Sequence, residues 1–258
     1  MMDRCRCCVL VAGCAIIVLA VVVGEPVDFK YQFINDCKTA QEESTCEDVW
    51  SAFEQAYVGK DPSKVLPEAY DDLLSVAPPL PKCNQMLFWS GTSEVAHQVA
   101  KGCYQTLEDT LLGSVLDGKK EWCGKMGSKD TFTSSCASGL ENNPYKSFWS
   151  RVSTEFAAVA CGKVVVLLNG DELNPFYPQS YFALFEVGNF KHGGAKEVES
   201  LTVVLVTKNE VGDKCDNTSL MDLKKKLKPG INYICKTVTK SKLIKWTKER
   251  GKSCKPCW

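Results

Sequence analysis

The stretch Val164-Val165-Val166-Leu167-Leu168, closed by Asn169-Gly170, decides the fold class. A continuous apolar run ended by an Asn-Gly turn suits a strand covered on both faces. Reading outward toward the C-terminus, Ser180 to Val187 predicts a second strand and Leu201 to Val206 a third. The lysine-rich amphipathic helix Leu220 to Leu227 then leads into a fourth strand, Ile231 to Cys235. Strands alternating with helices specify an α/β arrangement with a parallel-type sheet.

Toward the N-terminus the pattern turns helical. Asn143-Pro144 supplies an N-cap and a proline at the first helical position, opening a helix through Cys161 on which Trp149 and Ser153 share a face. Ser44 with Glu47 forms a capping box before Val49, Trp50, Phe53 and Tyr57 at helical spacing, and Gly59 with Asp61-Pro62 ends that helix. Shorter helices are predicted from Pro67 to before Pro78-Pro79, over Ser93 to Ala100, and over Leu107 to Leu116 up to Asp117-Gly118. The expected architecture is two-lobed, mixed α/β or α+β. A helical lobe covers residues 25–143, and an α/β lobe with a four-stranded parallel sheet and a basic tail covers 144–258. A cleft between lobes is a usual ligand site.

The 258 residues balance 31 basic against 31 acidic side chains, so no global field points to nucleic acid or to an anionic membrane. Basic charge gathers only after Lys236, where Glu249 is the single acid, and reads as a solvated surface. At the other end Arg4 and Arg6 precede an apolar run from Cys8 to Val23 and a small residue, Gly24. That layout is a secretory signal over residues 1–24, or an uncleaved anchor of a type II membrane protein through residues 8–24. Either places the remainder in an oxidising compartment, where the cysteines beyond the leader form a disulfide framework whose pairing is open at this level. Asn217-Thr218-Ser219 is a glycosylation sequon in an exposed loop.

Candidate chemistry centres on a repeated tripeptide. Phe88-Trp89-Ser90 and Phe148-Trp149-Ser150 flank the adjacent acids Glu108-Asp109. Two indoles with carboxylates at the floor form a slot for a flat cationic ring; the alternative is that both indoles fill a core and the acids serve a helix N-terminus. Alternation puts Phe182, Leu184 and Glu186 on one strand face, making Glu186 either an exposed edge residue or a buried carboxylate kept for a task. With His97 and His192 the only histidines, no nucleophile elbow or zinc set emerges, and Gly-x-Gly-x-x-Gly and P-loop sequences are missing. Cys254-x-x-Cys257 reads as a structural disulfide.

Taken in order, Leu87-Phe88-Trp89-Ser90, Ala96-His97, Thr106-Leu107-Glu108-Asp109-Thr110-Leu111-Leu112-Gly113, Trp122-Cys123-Gly124, Asn142-Asn143-Pro144, Ser147-Phe148-Trp149, Leu168-Asn169-Gly170 and Glu186-Val187-x-Asn189 resemble the ADP-ribosyl cyclase / cyclic ADP-ribose hydrolase family over about residues 35–240. The resemblance implies a NAD-cleaving enzyme with its site between the lobes. NAD or NADP would be the substrate, with nicotinamide, cyclic ADP-ribose and ADP-ribose as products, and with no cofactor and no metal. Glu186 would be the catalytic glutamate. Trp89 and Trp149 would position the substrate, Glu108 with Asp109 would hold the carboxamide, and Ser90, Ser153 and Phe182 would contact ribose or phosphate. Tyr181 occupies the position where cyclising members carry a bulky aromatic. The resemblance also implies the bridges Cys37–Cys46, Cys83–Cys161, Cys123–Cys136 and Cys215–Cys235. A further family bridge is replaced by Ser63 and Glu141, and Trp246 displaces a partner of the last one, which leaves Cys254 to pair with Cys257 and Cys103 alone. A homodimer is compatible with the resemblance. The rival reading from another class is a weakly catalytic surface receptor or adhesion module on the same scaffold.

Overall fold

The computed structural model describes residues 29–40, 45–118, 122–131, 136, 142–194, 197–210, 212–251 and 253–258. The expected leader or anchor, Ser44 of the capping box and Glu141 lie outside these residues. No helix among the described residues is long and apolar enough to cross a membrane.

Four strands form one parallel sheet in the order β1-β2-β3-β4: Met86–Ser90, Gly162–Asn169, Val198–Thr207 and Asn232–Thr239. The run at 164–168 is the second strand, and its alternation explains its composition. Val164, Val166 and Leu168 join the main core, whereas Val165 and Leu167 face a second cluster built on Leu87, Val204, Val206 and Leu243. Both faces are dry, so every position must be apolar.

Two strand assignments change. Residues 180–187 do not form a strand: Phe182–Glu186 is a π-helical turn continued by a 3-10 turn, Val187–Asn189. Phe182 and Glu186 are buried while Leu184 is half exposed, a helical rather than a period-2 division. The missing fourth strand is β1, supplied by Leu87-Phe88-Trp89-Ser90. Its register sets Trp89 opposite Leu167 and Ser90 opposite Leu168.

Helices α1 (Phe29–Ala40), α2 (Cys46–Tyr57) and α3 (Asp71–Val76) pack an aromatic cluster of Phe33, Trp50, Phe53 and Trp122 against α6 (Pro144–Ala158). Tyr70 anchors the junction: its hydroxyl donates to Pro144 O at 2.8 Å and accepts from Trp122 Nε1 at 3.3 Å. Asn143 caps α6 through Lys146 N at 2.8 Å, as the Asn-Pro pair predicts. The other sheet face is covered by α4 (Ser93–Ala100) and α8 (Lys240–Glu249), with α5 (Leu111–Leu116) and α7 (Thr218–Lys226) completing the set.

Four of the expected disulfides are present: Cys37–Cys46, Cys83–Cys161, Cys123–Cys136 and Cys215–Cys235. Cys83–Cys161 staples the entries of β1 and β2, residues 78 apart in sequence, and closing a loop of that order is worth about 4 kcal/mol in the chain-entropy account. The fifth corrects the expectation, because Cys254 pairs with Cys103 and leaves Cys257 as the free thiol among the described residues. The reason lies in how the C-terminal segment docks. Arg250 donates to Val99 O at 2.9 Å and to Lys101 O, and Trp258 stacks on Tyr104. Those contacts lay the segment on the turn that follows α4, where Cys103 sits. Leu243 of α8 is fully buried, so residues 240–249 are a docked helix rather than a solvated tail.

Candidate active site

The carboxyl end of β1, the turn before α5, the inner face of α6 and the π-helical turn meet around a cavity of about 380 Å³. Trp89 and Ser90 reach it from the last positions of β1, as expected where a parallel strand ends. Trp149 and Ser153 come from successive turns of α6. Glu108 comes from the 3-10 turn Leu107–Asp109. That turn lies so close to α5 that a Cβ on Gly113 would stand 2.0 Å from Leu107 O, so glycine is what lets Glu108 sit where it does. Trp89 Nε1 donates to Glu108 Oε2 at 3.3 Å, tying one aromatic wall to the carboxylate beside it. Trp149 Nε1 is buried without a hydrogen-bond partner among the described residues.

Glu186 ends the π-helical turn and is only 7% exposed. Burial pushes its carboxyl up to about 8; a hydrogen bond from Ser153 pulls it back, and the nearby charge of Glu108 adds to the rise. The folded-state value lies above the ordinary glutamate range, so the stability this group confers is present below about pH 4.5 and is lost as pH rises through 8. Glu186→Gln should remove that loss. Thermal melts from pH 5 to 9 are expected to show the variant gaining on the parent by about 10 °C at the alkaline end; parallel curves would show that the carboxyl ionises freely.

The structure brings together Glu186, Glu108, Trp89, Trp149, Ser90, Ser153 and Tyr181. Tyr181 stands at the rim, 39% exposed, with its ring centroid 5.3 Å from that of Phe185. Two expected contributors are elsewhere. Asp109 Oδ2 accepts from Thr106 N at 2.8 Å and Thr106 Oγ1 at 2.9 Å, holding the turn together instead of lining the cavity. Phe182 is fully buried against Phe88, Phe176 and Phe190 and shapes the support beneath the site. The second acid of the lining is Asp117, the residue that closes α5, and Tyr145 adds an aromatic edge 6.2 Å from Trp149.

Three carboxylates (Glu108, Asp117, Glu186) and two indoles make a cavity suited to a flat cation. No group of three or more His, Cys, Asp or Glu among the described residues could hold a metal ion. Outside the cavity, Asn217 caps α7: its Oδ1 accepts from Ser219 N at 2.9 Å, and its Nδ2 donates to Leu173 O at 3.0 Å.

Residues 27–255 match the ADP-ribosyl cyclase family. The chain is 33% identical to the mouse protein named ADP-ribosyl cyclase/cyclic ADP-ribose hydrolase 1, over 83% of this chain and 76% of that one. It is 30% identical to the ADP-ribosyl cyclase/cyclic ADP-ribose hydrolase of Aplysia californica, over 72% and 67% respectively. Among solved structures, porcine CD38 in complex with a covalent intermediate, ribo-F-ribose-5'-phosphate, superposes with a TM-score of 0.74 at 31% identity, over 83% of this chain and 97% of that one.

Proposed function

The chain belongs to the ADP-ribosyl cyclase family, and on that premise we propose that it cleaves NAD or NADP to nicotinamide, cyclic ADP-ribose and ADP-ribose, with Glu186 as its catalytic carboxylate. The observation that carries this reading is the buried Glu186 at the floor of a cavity walled by Trp89 and Trp149.

The nicotinamide of NAD is a pyridinium, both flat and cationic. Trp89 and Trp149 present faces to it, and Glu108 with Asp117 supplies negative charge and acceptors for its carboxamide. The same positive ring favours the ionised form of Glu186, drawing its proton off as substrate enters. When the N-glycosidic bond breaks, its electron pair goes to the ring nitrogen and nicotinamide leaves neutral. No general acid is required, unlike an O-glycosidase, and no cofactor enters. The carboxylate of Glu186 stabilises the ribosyl oxocarbenium ion or captures it at the anomeric carbon, as the covalent complex of the porcine relative supports. Ser153, hydrogen-bonded to Glu186, fixes the carboxyl toward the sugar.

The intermediate then partitions. Attack by N1 of the adenine closes cyclic ADP-ribose, attack by water gives ADP-ribose, and an incoming pyridine exchanges the base. Tyr181 at the rim covers the intermediate against water and holds adenine near the reactive carbon. Chromatography of the products from NAD tests both the reaction and this role. The parent protein is expected to release nicotinamide and a measurable share of cyclic ADP-ribose, and Tyr181→Thr to lower the cyclic share severalfold at similar NAD consumption. Release of no nicotinamide would refute the activity; an unchanged product ratio would refute the role of Tyr181.

The five disulfides support a catalytic domain that works in an oxidising compartment, reached by export through residues 1–24.

A further inference from the structure

Gly91, the first residue after β1, lines the catalytic cavity and also a second one of about 180 Å³. The backbone at Gly91 is left-handed, φ 68°, and a Cβ there would stand 3.3 Å from Asn169 Cβ. Glycine is the residue that this backbone conformation and this close approach favour. The two cavities differ in charge: acids alone line the first, whereas lysines join the acids in the second. Among the described residues the first is lined by the acids Glu108, Asp117 and Glu186 and by no Lys, Arg or His. The second is lined by Lys208, just past β3, and by Lys240, the first residue of α8.

A dinucleotide carries its positive ring at one end and its phosphates beyond the ribose. The acid-lined cavity suits the ring and repels the phosphates, and the two lysines line the cavity that shares Gly91 with it. Two acids also line the second cavity. Glu94 pairs with Lys240 at 2.6 Å, but its side chain is 73% exposed, and such a pair is screened and easily exchanged for a phosphate. Asp171 accepts the backbone N–H of Lys208 at 2.9 Å and thereby positions the lysine.

We propose that this second cavity is a phosphate subsite for the dinucleotide, with Lys240 and Lys208 as its cations. The inference rests on the NAD-cleaving reading and extends it to residues outside the catalytic cavity. The test is the double variant Lys208→Ala/Lys240→Ala, assayed at low salt with NAD and with NADP. KM should rise about tenfold, the order expected for losing partly exposed charge-assisted contacts, and the loss should fall on KM rather than kcat. An equal rise for both substrates assigns the subsite to the pyrophosphate, and a rise confined to NADP assigns it to the 2'-phosphate; either supports the proposal. Lys208→Arg/Lys240→Arg should retain the parental KM, and Glu94→Gln, which frees Lys240, should lower it. KM values within twofold of the parent for both substrates in the alanine variant would overturn the subsite while leaving the catalytic reading intact. Calorimetric titration with inorganic pyrophosphate gives a readout independent of turnover. Binding by the parent that the double alanine variant loses supports the subsite, and equal titrations of the two proteins would overturn it.

Discussion

Trp89→Ala is expected to lower kcat/KM for NAD by about 100-fold, because two interactions end with one side chain. Base–aromatic stacking is worth about 1–3 kcal/mol by alanine substitution, which alone spans roughly fivefold to about 150-fold. The indole N–H also holds Glu108 at 3.3 Å, and without it that carboxylate is free to turn from the carboxamide. Trp89→Phe separates the two: it keeps an aromatic face, loses the donor, and should fall between the parent and the alanine variant. Trp89 packs on His97 and the second core cluster, so melting temperatures accompany the rates. A loss below threefold in Trp89→Ala would place the substrate away from this wall.

The sheet was legible where burial leaves a sequence no choice. Val164 to Leu168 must be apolar throughout because both faces are covered, and the run stands out without any neighbour being known. Residues 182–186 mislead for a geometric reason. Phe182 and Glu186 share a face both in a strand, at period 2, and in a helical turn, four apart. Only the half-exposed Leu184 between them distinguishes the two. β1 is hard to read because it spans only five residues, and its aromatic pair suits a binding motif as well as a strand end.

The site divides in the same way. Trp89, Trp149, Glu108 and Glu186 line one cavity, and their residue types alone mark them as candidates in the sequence. The identity of the second acid is not marked in this way, since adjacent Glu108 and Asp109 look equivalent in one dimension. A local signal did exist: Thr106-x-x-Asp109 is the pattern of a reciprocal cap, and the structure spends Asp109 on that bond. Nothing local marks Asp117 as a lining residue, because it reaches the cavity only through the placement of α5. Cys103–Cys254 is similar. The partners are 151 residues apart and meet because α8 docks on α4, a tertiary event that no cysteine spacing encodes.

Glu186 carries the chemical claim. It is the buried acid of the cavity, it is held by Ser153, and it is spared any need to deliver a proton because nicotinamide departs neutral. Glutamine keeps its size and much of its hydrogen bonding but removes the charge that the oxocarbenium ion requires. Losing a preorganised electrostatic partner of this kind costs about 10²–10³-fold in kcat. The decisive measurement is turnover of an etheno-adenine NAD analogue by purified Glu186→Gln, with its folding checked by thermal melt. A rate about 10³-fold below the parent in a protein that melts no lower is the predicted result. A rate within tenfold of the parent would contradict the account.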